Sequence, residues 1–267
     1  MSVSQFISKS TVRIECSVVG GGVSVGTGFW FGFSSTEDSD SGLALLVTNK
    51  HVIANSTAIR IRLNVSSATN PHVKFYDVTL NNPSEFIQHP DPNIDICALP
   101  IGHLINELSR QGLTVDNFFF TDRSFLNQQH VTPVEEVFMT GYPNGLWDTV
   151  NNRPITRKGI TASSVLEDWQ GRPEFMIDIA CFGGSSGSPV YIMNEGGFGT
   201  SDGWAIGNRL IFLGVLYAGP TLDVNGSINI VDVPTVATPV VSTTLMMNLG
   251  MVIKAEQLNG LRPLLGI

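Results

Sequence analysis

Cationic side chains are sparse and scattered in this chain. Its 267 residues include 15 Lys and Arg against 23 Asp and Glu, with no basic block, and the net charge is −8. Nucleic-acid binding needs clustered cations to neutralise phosphates, so that partner class is not expected. Cysteine is equally scarce: Cys16, Cys97 and Cys181 are far apart and odd in number, which excludes a disulfide framework. No Cys/His spacing suits a metal, and no cofactor is expected. No run of 18 apolar residues is present, so no membrane-spanning helix is expected. The first residues lack a basic segment followed by an apolar one, which points to a cytoplasmic location.

What the chain does have is a 42% hydrophobic share, 27 Gly and 14 Pro, with Val, Ile, Thr and Phe abundant. That mixture favours short strands and turns over long helices. Ile59, Ile61 and Leu63 alternate with Arg60 and Arg62, the pattern of a half-buried strand. Strands are expected at 11–19, 26–33, 43–48, 58–64, 73–80 and 94–101. A second series is expected at 134–141, 158–165, 174–180, 188–193 and 210–218. A connector at 102–127 carries a short helix near 103–111, and a helix is expected at 252–265. Polar residues 34–41 read as a loop. The stretches 194–208 and 221–245 read as surface loops near a cleft. Closure into barrels removes the sheet edges that so many short strands would expose.

The stretch Gly183-Gly184-Ser185-Ser186-Gly187-Ser188-Pro189-Val190 follows an apolar run and forces a tight turn. Such a turn presents a serine hydroxyl while aiming backbone N–H groups at one point, although Ser/Gly-rich loops without function look alike. Upstream lie Thr48-Asn49-Lys50-His51-Val52 and Asn93-Ile94-Asp95-Ile96-Cys97. The order His51, Asp95, Ser186 is that of the chymotrypsin-type triad. A serine needs a base within reach, and histidine returns a proton near neutrality. Asp91, between two prolines, reads as a turn residue. His72, His89, His103 and His130 lie in polar contexts and read as solvated.

With these motifs the chain resembles the trypsin-like (chymotrypsin-fold) serine peptidases. Within them it is similar to the glutamyl endopeptidase and exfoliative toxin branch, whose motifs read T-N-K-H-V, T-G-Y-P and G-N-S-G-S-P-V. Thr140-Gly141-Tyr142-Pro143 matches the second. The resemblance implies an all-β fold: two six-stranded antiparallel β-barrels, the active site between them and a C-terminal helix. The N-terminal barrel (1–115) would carry His51 and Asp95, and the C-terminal barrel (130–267) Ser186. It implies an oxyanion hole from the N–H groups of Gly184 and Ser186. The primary pocket would be lined by Ala180, Cys181 and Phe182, then Leu216, Tyr217, Ala218 and Gly219.

Two departures carry consequences. Ser185 stands where trypsin-type zymogens have Asp, so pairing with a freed N-terminal amine is not available and no proteolytic activation is expected. Leu216 and Cys181 stand where the glutamate-specific branch has a His and a hydroxyl residue. A neutral apolar residue is therefore expected before the scissile bond, within a protein or peptide substrate. A regulatory partner stays unidentified. A catalytically silent binding barrel and an esterase using the same triad remain the competing readings.

Overall fold

The computed structural model describes residues 3–34, 42–126, 131–200, 203–227 and 240–267. The loop expected at 34–41 and His130 therefore lie almost wholly outside the described residues. A short helix α1 (Val3–Ile7) leads into β1 (Thr11–Val18), β2 (Val23–Ser34) and β3 (Gly42–Thr48). The helical turn α2 (Lys50–Ile53) follows, then β4 (Ser56–Ser67), β5 (Phe75–Leu80), β6 (Ile87–Gln88) and β7 (Cys97–Pro100). Helix α3 (Gly102–Arg110), β8 (Leu113–Val115) and β9 (Phe120–Thr121) complete the first half. These nine strands share one sheet with a main path β5-β4-β1-β2-β3-β7-β6. The alternation at 59–63 has the expected cause, with Ile59, Ile61 and Leu63 buried while Arg62 turns out to a two-pronged bond with Asp77.

The second half contains β10 (Glu136–Gly141), β11 (Ile155–Thr161), β12 (Glu174–Asp178) and β13 (Pro189–Asn194). After a hairpin of β14 (Phe198–Thr200) and β15 (Gly203–Ala205) comes β16 (Arg209–Ala218). A further pair, β17 (Thr221–Ser227) and β18 (Val240–Met246), precedes β19 (Leu249–Lys254). Strands β10, β11, β12, β19, β16 and β13 close a six-stranded barrel. The architecture is thus mostly β, a closed barrel beside a second sheet, with a small helix at the C-terminal end.

Several local expectations are corrected. Residues 252–254 belong to β19, the strand that closes the barrel, because Val252 faces one apolar cluster with Phe175 while Ile253, on the opposite face, packs with Val215 in another. Helical structure begins only at Ala255, as a 3₁₀ segment to Leu261, and ends in α4 (Arg262–Leu265). Among the described residues, the stretches 194–208 and 221–245 contain the paired strands β14–β15 and β17–β18 and are not plain loops. Asp95 precedes β7 and does not lie within it, because Asp91 accepts the amide of Asn93 and builds a turn there. His89 is not solvated: it is 7% exposed, and its Nδ1 accepts the Asp91 N–H.

One apolar core runs through both halves. Phe29, Phe31 and Phe120 from the first sheet pack with Tyr191, Phe212, Val215 and Ile253 from the barrel and with Leu258 and Leu261 from the C-terminal segment. The Phe212 ring lies 5.0 Å from Phe120 and 5.3 Å from Phe29. Burial of aromatic rings at such a seam couples the two halves. Truncation of Phe212 to alanine is expected to cost about 3–5 kcal/mol. Urea denaturation of wild type and Phe212→Ala is expected to show one cooperative transition each, shifted to lower urea in the variant. Two resolved transitions, or an unshifted midpoint, would contradict a shared core.

Candidate active site

His51 is delivered by the sharp exit of β3 into α2, and Asp95 by the turn before β7. The His51 Nδ1 lies 2.5 Å from Asp95 Oδ2, while the His51 backbone N–H donates to Asp95 Oδ1 at 3.1 Å. One residue therefore occupies both carboxylate oxygens. A proton on Nδ1 shared with the carboxylate leaves Nε2 with its lone pair free to act as a base. Asn49 is fully buried, and its side-chain amide donates to the Asp95 carbonyl at 2.6 Å. Lys50 Nζ reaches the Asp91 carbonyl at 3.0 Å. These two bonds tie α2 to the acid-bearing turn on either side of the pair. The His51 side chain is 48% exposed, within reach of an incoming molecule.

Ser186 sits on the glycine-rich turn between β12 and β13. Gly184 has φ +80° and Gly187 φ +86°, left-handed conformations that favour glycine. A Cβ on Gly187 would run into the Thr27 carbonyl, and one on Gly184 into the Tyr142 carbonyl. Thr27, from β2, clasps the turn: its N–H donates to the Ser186 carbonyl at 2.9 Å and its hydroxyl to the Gly184 carbonyl at 2.8 Å. The Asn144 N–H donates to the Gly183 carbonyl at 2.6 Å. Because a trans peptide points its C=O and N–H in opposite directions, that bond turns the Gly184 N–H the other way. Among the described residues, neither the Gly184 nor the Ser186 N–H meets an acceptor. Two backbone donors of the serine turn are thus without an acceptor.

The serine itself is not engaged with His51. Its hydroxyl lies 3.5 Å from the Tyr217 carbonyl, too long for a firm hydrogen bond. Such bonds are often loose before substrate arrives. Tyr217 borders the serine turn through its carbonyl, while its phenol bonds the Glu174 carboxylate. Burial first, and then the phenol's bond to the Glu174 carboxylate at 2.9 Å, push the Tyr217 phenol up to about 12. Glu174 is itself buried and paired with Arg172.

The residues expected to line a primary pocket differ in burial. Cys181 and Leu216 are buried, and Leu216 exchanges backbone bonds with Gly187 and Ser188. Phe182 is 40% exposed, Ala180, Tyr217 and Gly219 are half-buried, and Ala218 is exposed. Gly250, absent from the expected set, belongs with them: a Cβ there would collide with Cys181 Sγ and Leu216 Cδ1. Thr27, Asn144 and Arg157 were also not expected. Only Thr27 carried a local sign, lying within Gly-Thr-Gly in a strand of large side chains. Among the described residues, no His, Cys, Asp and Glu cluster is arranged to hold a metal ion, and no helix is long and apolar enough to cross a membrane.

Residues 26–197, which include His51, Asp95 and Ser186, match the model of the trypsin-like peptidase domain. The chain belongs to this family. The trypsin-like peptidase assignment makes protein or peptide the substrate class. No curated protein matches the chain. Among solved structures, the active form of the Rv3671c protease from M. tuberculosis is 16% identical with a TM-score of 0.46, over 98% of this chain and 82% of that one. Deg5 is 17% identical with a TM-score of 0.45, over 80% of this chain and 81% of that one. An inactivated protease paralogue of the scabies mite is 10% identical with a TM-score of 0.44, over 97% of this chain and 95% of that one.

The three cysteines are free and buried. Burial pushes the Cys181 thiol up to about 11 and raises those of Cys16 and Cys97 as well. A raised thiol stays protonated, and hence unreactive, at pH below its own value. Titration with a chromogenic disulfide at mildly alkaline pH is expected to count no thiols in the native protein and all of them after denaturation. A rapidly reacting thiol in the folded protein would contradict this burial.

Proposed function

We propose that the chain is a serine endopeptidase working through an acyl-enzyme. The observation that carries this reading is the pairing of His51 with both Asp95 oxygens beside a serine turn whose Gly184 and Ser186 N–H groups are unspent. His51 Nε2 takes the Ser186 proton as Oγ adds to the scissile carbonyl. The oxygen of the tetrahedral adduct then accepts from the Gly184 and Ser186 N–H groups, each such donor lowering the barrier by about 2.7–4 kcal/mol. Collapse of the adduct breaks the C–N bond, with His51 returning the proton to the leaving amine. Water, deprotonated by His51, repeats the cycle on the ester and frees Ser186. Asp95 holds the imidazole in one tautomer throughout.

Substrate orientation follows from exposed backbone. The Tyr217–Gly219 edge pairs with an extended peptide as an added strand. A groove of about 480 Å³ lined by Asp91, Asn93, Ile94, Arg172, Pro173 and Glu174 adjoins the Asp95 turn and receives residues further upstream. The side chain before the scissile bond meets Cys181, Leu216 and Gly250. Arg157 touches this wall, but its terminal nitrogens are spent on the Ala180 carbonyl and the Ser185 hydroxyl. A charged side chain finds no partner there to offset its desolvation, so a neutral apolar residue is preferred.

Fluorophosphonate labelling is expected in the wild type and absent in Ser186→Ala and His51→Ala. Asp95→Asn should keep substrate affinity and lose about 10⁴-fold in kcat. A peptide library should show cleavage after apolar residues. A well-folded wild type that neither labels nor cleaves would leave a binding barrel, and labelling with cleavage only of small esters would leave an esterase.

A further inference from the structure

Most arginines here are neutralised. Arg13 and Arg60 meet Glu15, Arg62 meets Asp77, Arg209 meets Glu135 and Arg262 meets Asp122. Among the described residues, Arg157, like Arg153, has no such carboxylate within ion-pair distance. Arg157 is half-buried. Its Nε is buried without a partner. A guanidinium partly withdrawn from water without a counter-ion carries a desolvation cost, so what it does with its remaining donors is informative.

Those donors converge on the serine turn. Strand β11 sets Arg157 opposite Met139 of β10. From there Nη1 donates to the Ala180 carbonyl, and Nη2 donates to the Ser185 hydroxyl at 2.7 Å. The Phe182 ring lies over the guanidinium at 6.0 Å. Ser185 has no exposed surface, and its N–H donates to the Phe182 carbonyl at 3.0 Å. One planar cation thus grips both ends of the 180–185 segment and is covered by its middle. Within that segment lie Gly183 and Gly184, the residues with most freedom to swing the oxyanion peptide away. The fork geometry of arginine suits two fixed acceptors, which a lysine ammonium satisfies poorly.

We propose that Arg157 is a positioning residue that locks the oxyanion turn from within, an internal cation acting through Ser185 where a turn carboxylate would need a freed amine. This rests on the serine-peptidase reading for its catalytic consequence, but its structural consequence stands apart from it. Arg157 touches the turn and not the reacting atoms, so its loss slows acylation and leaves substrate binding nearly intact.

The test pairs kinetics with amide hydrogen exchange on wild type, Arg157→Ala, Arg157→Lys and Ser185→Ala. In Arg157→Ala, kcat and the fluorophosphonate rate are expected to fall about 100-fold or more while KM stays within about threefold. Exchange should quicken in the peptide spanning 180–188 and nowhere else. Millimolar guanidinium ion, against an equal sodium chloride control, should restore at least about tenfold of the lost rate. Arg157→Lys should recover little. If Arg157→Ala fails to fold, Ser185→Ala decides, because it removes the Nη2 acceptor and keeps the cation; the same local exchange and slowed acylation are expected. Wild-type exchange at 180–188 in folded variants would overturn the proposal. So would a change confined to KM with loss of a preference for acidic side chains, which would make Arg157 a substrate-binding group. If the wild type itself does not label, the serine-peptidase reading fails, and the exchange arm still decides whether Arg157 holds the turn.

Discussion

The contact on which the structure depends is the seam between Thr27 and the serine turn. Thr27 has no exposed surface and four of its bonds cross or border that seam. Its N–H and hydroxyl hold the carbonyls of Ser186 and Gly184, its hydroxyl accepts the Tyr142 N–H, and its carbonyl accepts the Thr48 hydroxyl. Thr48 ends β3 immediately before the segment that carries His51. A single threonine therefore links the strand leading to His51 with the turn bearing Ser186. Gly187 is required because only a residue without Cβ lets the turn approach the Thr27 carbonyl so closely.

The polar site is held by a surrounding core that is apolar and shared. Aromatic rings from both halves meet behind the seam, so neither half moves without disturbing the other. The charged groups near the site are spent on fixed partners: Asp95 on His51 and Glu174 on Arg172 and Tyr217. What stays unspent is the pair of amides at Gly184 and Ser186 and the imidazole edge facing solvent. Preorganised donors that need no rearrangement are the form in which electrostatic stabilisation is most effective.

Much of this was legible in the sequence, for definite reasons. Ile59, Ile61 and Leu63 alternate because one face of β4 is buried, and Gly184 and Gly187 mark positive φ. His51, Asp95 and Ser186 stood out because their residue types sit in short, distinctive contexts. The expected pocket residues were legible only as neighbours of Ser186 and of the strand after it. Gly250 and Arg157 reach it from other strands, and nothing local to either marks that approach. The C-terminal segment misled because Val252 and Ile253 are apolar in a run that also fits a helix, and only pairing with β12 and β16 makes them a strand. His89 misled because its polar neighbours Gln88, Pro90 and Asp91 hide a ring folded against Gly260.

The central proposal is that the His51–Asp95 pair and the Ser186 turn keep their arrangement when substrate binds, with only the Ser186–His51 bond left to close. The most direct test is a crystal structure of the protein with and without a peptidyl boronate bearing an apolar side chain. The account predicts a bond from Ser186 Oγ to boron, one boron-bound oxygen held by the Gly184 and Ser186 N–H groups, and a turn at 183–187 unchanged between the two forms. An unmodified Ser186, or a Gly183–Gly184 peptide that flips on binding, would contradict it.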